Sequence, residues 1–259
     1  MIDLRESLIR RRAENVKQIV AVGSGKGGVG KSLIASSIAY ELSRRKYSVG
    51  LLDLDLYGPS VHRVLKVNST ELKVTKQGIE PISINQKLQI MSIYFLIKNK
   101  PSPLKGDLKK DAILDLLAYT NWKDLDFLII DLPPGTGDEV ILISRYFKDK
   151  LSLIVVTTPN DLALNVVMRL VKILKELRVK ILGIVNNMSY IRYGNTIIKP
   201  FGEVNVSDIL DLELLGEVPL DPDVNKALER GDLPLKAEEF RRAIVSIVDK
   251  VLKYLSLTH

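Results

Sequence analysis

Three features of this 259-residue chain predict an α/β fold built on a doubly wound, mainly parallel sheet. Short apolar runs recur along it, among them Ile19–Val22, Phe127–Ile130 and Leu151–Thr157, and they read as strands covered on both faces. Segments of helical periodicity alternate with those runs, the clearest being Leu33–Arg45 and Leu162–Leu177. A glycine-rich stretch joins the first strand to the first helix. Strands alternating with helices call for right-handed crossovers, with a ligand at the C-terminal edge of the sheet.

The remaining elements follow in order. Residues 1–18 read as a charged, basic N-terminal extension. Val49–Leu54 is a second buried strand, apolar until Asp53. Leu72–Pro81 alternates around Gln77-Gly78 like a hairpin, and Leu88–Ser92 is a further strand. Lys105–Ala118 carries a helical pattern through Leu108, Ile113, Leu116 and Leu117. Val179–Val185 and Leu214–Val218 are strands, the latter ending at Pro219. Phe240, Ile244, Ile247, Val248, Val251, Leu252 and Leu255 then place a C-terminal helix within 235–259, packed on the rest. No linker or composition shift divides the chain, so a single domain over 1–259 is expected.

Hydrophobic residues make up 46% and charged residues 27%, and no apolar run approaches the ~20 residues of a membrane span. The start, MIDLRESLIRRRAENVKQ, has no apolar leader segment, which predicts a cytoplasmic protein. The formal charge of +7 is modest for this length. Arg10-Arg11-Arg12, Lys109-Lys110 and Arg241-Arg242 read as solvated helix faces, so neither nucleic acid nor membrane is the expected partner. Cysteine is absent, which excludes disulfides, thiolate metal sites and a cysteine nucleophile.

The stretch GSGKGGVGKS, residues 23–32, fits the phosphate-loop pattern G-x-x-x-x-G-K-[ST] through Gly25, Gly30, Lys31 and Ser32. It lies between a strand and a helix, the context the pattern needs. The N–H groups of Gly25, Lys26, Gly27, Gly28, Val29, Gly30, Lys31 and Ser32 can wrap phosphates, helped by the positive end of the helix. Lys31 would meet the β- and γ-phosphates and Ser32 would ligate Mg²⁺. A nucleoside triphosphate is the expected ligand; a plain glycine turn is the weaker reading. Asp131, at the end of the 127–130 run, is placed to hold Mg²⁺, usually through water. It opens DLPPGTGD (131–138), whose Gly135 suits a backbone approach to a γ-phosphate. Asp53 and Asp55 end the second strand, where two carboxylates beside a polyphosphate need a cation or a water. No histidine base is required, and His62 and His259 read as surface residues.

Lys26 adds a second lysine to the loop, and KGGVGKS resembles the deviant Walker A ATPases, which include MinD, ParA and the Mrp-type iron–sulfur carriers. That resemblance implies a homodimer joined through the nucleotide face, with Lys26 reaching the partner's nucleotide. It implies that Asp55 orients the attacking water and that Asp53 sits near the metal. It also places Asn187 and the Pro219-Leu220-Asp221-Pro222 loop against the base, although each could be an ordinary turn. The stretches DLDLYGPSV (53–61), IMSIYFLI (90–97), DLPPGTGD (131–138), VTTPNDLAL (156–164), GIVNNMSYI (183–191) and VPLDPDVNKALERGDLP (218–234) resemble the Mrp-type branch.

That branch carries a C-x-x-C cluster-ligating pair after its N-M-S-Y segment. Here the two positions fall on Tyr193 and Thr196, so no iron–sulfur cluster is expected on the chain's own residues. The resemblance therefore implies a Mg²⁺- and ATP-dependent homodimeric ATPase, slow without a partner. It would assist iron–sulfur assembly, with assembly proteins or apo-protein clients as partners. The segment 190–202 would be a dimer-facing hairpin without metal. A ParA/MinD-like dimerisation switch acting on DNA, membrane or protein is the alternative, ahead of a small-molecule kinase.

Overall fold

A computed structural model describes residues 4–56, 58–67, 71–97, 106–135, 138–147 and 149–256. The charged N-terminus is a helix, α1 (Leu4–Glu14), rather than a bare extension. Ile9 on its inner face is fully buried, and Arg5 pairs with Asp111 and Asp115 at 2.8 and 3.0 Å. Of the arginine triplet, Arg10 and Arg11 are exposed, but Arg12 donates to Asn121 and to the Ala118 and Gln77 carbonyls. The triplet is thus partly a staple and not wholly a solvated face.

The first half then runs β1 (Val16–Ser24), α2 (Lys31–Arg44), β2 (Val49–Asp53) and a one-turn α3 (Val61–Val64). The expected hairpin is formed by β3 (Lys73–Thr75) and β4 (Gly78–Glu80). After β5 (Ile82–Ser83) come β6 (Leu88–Ser92), α4 (Ile93–Ile97) and α5 (Gly106–Tyr119). Lys105, expected to open that last helix, lies outside the described residues, as does His259. The second half comprises β7 (Leu125–Asp131), α6 (Asp138–Phe147), β8 (Leu151–Thr157) and α7 (Asp161–Glu176). It continues with β9 (Lys180–Tyr193), β10 (Thr196–Ile198), α8 (Val206–Leu210), β11 (Leu214–Pro219) and α9 (Pro222–Glu229). A 3₁₀ turn at Pro234–Lys236 leads into α10 (Glu238–Ser256).

The main sheet has the order β10-β9-β8-β1-β7-β2-β6-β5, with β11 also pairing β9. Its pairings are parallel except β5 with β6 and β9 with β10, and helices flank it. β2 and β8 are buried along their whole length and β7 at every residue but Asp126, which is why they read as continuous apolar runs. The buried residues form one continuous cluster from Ile9 to Leu255, into which α10 sends Phe240, Ile244, Ile247 and Val251.

Strand β9 departs from expectation. It does not stop at Val185 but runs on through Asn187 to Tyr193, so Asn187 lies within a strand rather than after one. The extension has partners that sequence periodicity cannot show. β11 pairs along it with register shifts, and β10 folds back on its tip across the Gly194-Asn195 turn. The tip bears exposed Tyr193, Ile197 and Ile198.

Candidate nucleotide site

β1, β7 and β2 are neighbours, and all three end at the same edge. Ser24 leads there into the glycine loop, while the β2–β7 register sets Asp53 directly beside Asp131. The loop closes onto α2 through Gly30, which holds the left-handed φ of +80° that only glycine adopts without strain. Ser24 Oγ donates to the Lys26 carbonyl at 3.0 Å, bracing the first turn. Gly25 answers to packing: a Cβ there would meet the Val167 backbone nitrogen on α7 at 2.8 Å.

Lys31 is buried, and its Nζ lies 2.6 Å from Asp131 Oδ1, 3.8 Å from Asp55 Oδ2 and 3.3 Å from Ser32 Oγ. One ammonium thus serves a cluster of three carboxylates. Asp53 is fully buried and accepts from the Asp55 N–H at 3.0 Å and from Ser92 Oγ at 2.9 Å. Burial above all, with Asp131 alongside, pushes its carboxyl up to about 8, although those two hydrogen bonds and Lys31 act in the opposite sense. Asp131 is also shifted upward by complete burial, which outweighs the pull of Lys31. Its Oδ2 has no hydrogen-bond partner among the described residues. Asp55, less deeply set, accepts from the Gly58 N–H at 3.1 Å.

Of these groups Lys31, Ser32 and Asp55 face a cavity of about 480 Å³, which Lys26, Gly27, Gly28 and Gly30 also line, while Asp53 and Asp131 lie buried behind it. Ser60 just before α3, Val64 on it, and Val224, Asn225 and Leu228 on α9 also line it; sequence reasoning assigned none of them to the site. Ser60 had a signal, lying within DLYGPS, and so had Ser92 within IMSIYFLI. The α9 residues lie within VPLDPDVNKALERGDLP, but only the return of the chain past β11 brings that helix to the cleft. Lys26 is half-buried at the cavity wall, and its ammonium has no partner among the described residues.

Val29 is buried beneath the loop. Gly135 donates its N–H to the Ser24 carbonyl at 2.8 Å, so the Asp131 loop is tied to the start of the glycine loop; Thr136 and Gly137 lie outside the described residues. Asn187 is buried and donates its amide to the Val29 carbonyl at 2.8 Å. Pro219 and Asp221 are not in this cavity. They line a second one, of about 380 Å³, with Arg192, Leu220 and Glu239. Asp221 Oδ1 caps α9 by accepting from the Asp223 N–H at 2.9 Å.

His62 is not a surface residue. Its ring is buried and stacked on Tyr94 with centroids 3.9 Å apart. Burial and then Arg63 lower its pKa, and Nδ1 is without a partner among the described residues, so the ring is packed neutral. Lys109 likewise leaves the solvated face expected of it to pair with buried Glu139 at the start of α6. Tyr193 and Thr196, where the resemblance places the C-x-x-C pair of the Mrp-type branch, are cross-strand partners at the tip of the β9–β10 hairpin, and both are exposed.

A hydroxyl and buried carboxylates around an ammonium form a hard-oxygen, charge-neutralising set suited to Mg²⁺ and phosphate. The unpartnered Asp131 Oδ2 fits a site that gains a hydrated cation. Ser32, Asp53 and Asp131 are the residues that would hold it.

The sequence profile of the ParA family described as NUBPL iron-transfer P-loop NTPase matches residues 15–254. An iron–sulfur cluster carrier protein of Aquifex aeolicus is 38% identical over 231 residues, covering 86% of this chain and 63% of that protein. Another from Saccharolobus solfataricus is 33% identical over 262 residues, covering 97% of this chain and 88% of that protein. Among solved structures, a nucleotide-binding protein of Archaeoglobus fulgidus in complex with ADP superposes with a TM-score of 0.78 at 30% identity, over 91% of this chain and 95% of that one. The cell-division ATPase MinD of Pyrococcus furiosus shares the fold at 21% identity and a TM-score of 0.65, over 92% of this chain and 99% of that one.

Proposed function

The chain belongs to the NUBPL/Mrp-type iron–sulfur cluster carrier family of P-loop NTPases, and from that premise we propose that it is a Mg²⁺-dependent, homodimeric ATPase. It assists iron–sulfur assembly or transfer in the cytoplasm without ligating a cluster through cysteines of its own. The observation that carries the reading is Lys31, held at the wall of the cleft by Asp131 and Asp55 at the end of a glycine loop.

In this reading Lys31 exchanges Asp131 for the β- and γ-phosphates, while the N–H groups of residues 25–32 wrap them. Ser32, with Asp53 and Asp131 behind it, would hold Mg²⁺, which would supply charge neutralisation at the phosphates. Asp55, the most accessible of the three carboxylates, orients the attacking water. Gly135 reports the γ-phosphate by giving up its bond to the Ser24 carbonyl. Lys26, whose ammonium has no partner among the described residues, serves the nucleotide of the second copy. Phosphoryl transfer needs little from the protein beyond this positioning and neutralisation. Pro219 and Asp221 flank the base from the second cavity.

Four measurements test the reading. Phosphate release from ATP should require Mg²⁺, and light scattering should show a dimer whose population rises with ATP. Anaerobic reconstitution with iron and sulfide should leave the purified chain without a bound cluster, whereas cluster delivery to an apo-protein by a cysteine-bearing carrier should accelerate when the chain and ATP are added. Absence of any Mg²⁺-dependent turnover would remove the ATPase reading, and a cluster stably held would remove the assisting role. The exposed apolar hairpin tip, Tyr193, Ile197 and Ile198, favours a protein client over DNA in the alternative reading as a dimerisation switch.

A further inference from the structure

We infer that Asn187 is a positioning residue of the phosphate loop: from strand β9 it holds the Val29 carbonyl and thereby sets the direction of the Gly30 N–H. This rests on the nucleotide reading of the cleft and adds to it a residue that acts on the phosphate end of the ligand rather than on its base. Asn187 sits where β9 pairs with β11, opposite Val218, and its neighbour Asn186 pairs with Thr157 of β8. Its backbone is therefore fixed from both sides. Its side chain is 2% exposed, and the amide nitrogen is 2.8 Å from the Val29 carbonyl oxygen. The acceptor is a carbonyl, so the group facing it must be the N–H of the carboxamide.

The same amide nitrogen makes a second close approach. A Cβ built on Gly30 would fall 2.3 Å from Asn187 Nδ2, so the amide fills the space that any side chain at 30 would need. Gly30 and Asn187 form a matched pair, a bare backbone and the amide packed into it. The consequence follows from peptide geometry. The 29–30 peptide is trans, and in a trans planar peptide the C=O and N–H point in opposite directions. Anchoring the Val29 carbonyl on β9 turns the Gly30 N–H away from β9, on the side of the cleft that Gly30 lines. Lys31 follows directly, so the same anchor sets the start of α2 and the root of the phosphate-facing lysine. Without the amide, the Val29 carbonyl, belonging to a buried residue, loses its recorded partner and the peptide is free to rotate.

The test separates phosphate from base. Calorimetric affinities of Asn187→Ala should fall roughly tenfold for both MgATP and inorganic Mg-tripolyphosphate, and by the same factor, because a buried acceptor is left unpaired in the loop that both ligands share. Undiminished affinity for tripolyphosphate with weakened ATP would overturn the inference and make Asn187 a reader of the base. A wild-type chain that binds neither ligand would overturn the nucleotide reading itself and the inference with it. A spectroscopic measurement on the wild type does not depend on the variant folding. The Asn187 carboxamide signals in a ¹H–¹⁵N spectrum should move when tripolyphosphate alone is added; signals that stay in place at saturation would refute the positioning role.

Discussion

Replacing Lys31 by methionine removes an ammonium from beside three carboxylates while keeping most of the side-chain volume. In the structure that ammonium is 2.6 Å from Asp131 and 3.8 Å from Asp55, with Asp53 in register beside Asp131. At an effective dielectric near 20, a charge pair at about 4 Å is worth roughly 4 kcal/mol, and removing one partner of a buried pair typically costs about 3–5 kcal/mol. The loss depends on pH, and its sign can be worked out. A carboxyl whose folded pKa lies above its unfolded value keeps a proton that the unfolded chain releases, so stability falls as pH rises above about 4. Asp53, at about 8, and Asp131, raised by burial, already behave this way in the native chain. Without Lys31 the upward shift of Asp131 grows, which steepens the fall by at most about 1.4 kcal/mol per pH unit for its one proton. Nucleotide-free urea unfolding at several pH values is the assay. Lys31→Met should approach the native stability near pH 4 and fall about 3–5 kcal/mol below it by pH 8. Lys31→Met/Asp131→Asn should recover much of that difference, because the uncompensated charge is gone. A deficit independent of pH, or a double variant no more stable than the single one, would refute the reasoning. MgATP binding should be lost in both.

Asp55→Ala should still bind MgATP in a calorimeter but turn it over about 10²-fold more slowly or worse, since the carboxylate that positions water is missing; full turnover would take Asp55 out of that role. Lys26→Ala should fold normally, since its ammonium has no partner among the described residues, yet lose ATP-dependent dimerisation or turnover. Unchanged dimerisation and activity, read by light scattering and phosphate release, would end its assignment as the trans-acting lysine. Gly25→Ala drives a methyl to 2.8 Å from the Val167 backbone nitrogen and should cost about 1–3 kcal/mol, several degrees in the melting temperature. A melting temperature equal to the native one would show that α7 yields there.

The glycine loop and its lysine were legible because their pattern is local: a strand, a loop of fixed spacing and a helix lie consecutively in the chain. The parallel core strands were legible for a similar reason, since burial on both faces leaves an unbroken apolar run. His62 was misjudged because a single histidine carries no periodicity, and its burial comes from Tyr94, thirty-two positions along, stacking on its ring. The length of β9 was missed because its extension past Val185 contains Asn186, Asn187 and Ser189, polar residues that turn buried only between β8, β11 and the glycine loop. The base loop shows the same limit. Pro219 and Asp221 were placed by resemblance, and the fold puts them in a cavity other than the one that holds the phosphate loop.

By itself the sequence determined the chemistry available: a phosphate loop with two lysines, three strand-end aspartates, and no cysteine to hold a cluster. Tertiary structure decided how those groups act on one another. The parallel register of β2 and β7 sets Asp53 against Asp131, and the burial of that pair makes one lysine the shared counter-charge. The path of β9 turns Asn187 into a support for the loop 158 residues before it. Such couplings join residues far apart in the chain, and the pairing of strands that brings them together leaves no local mark in the sequence.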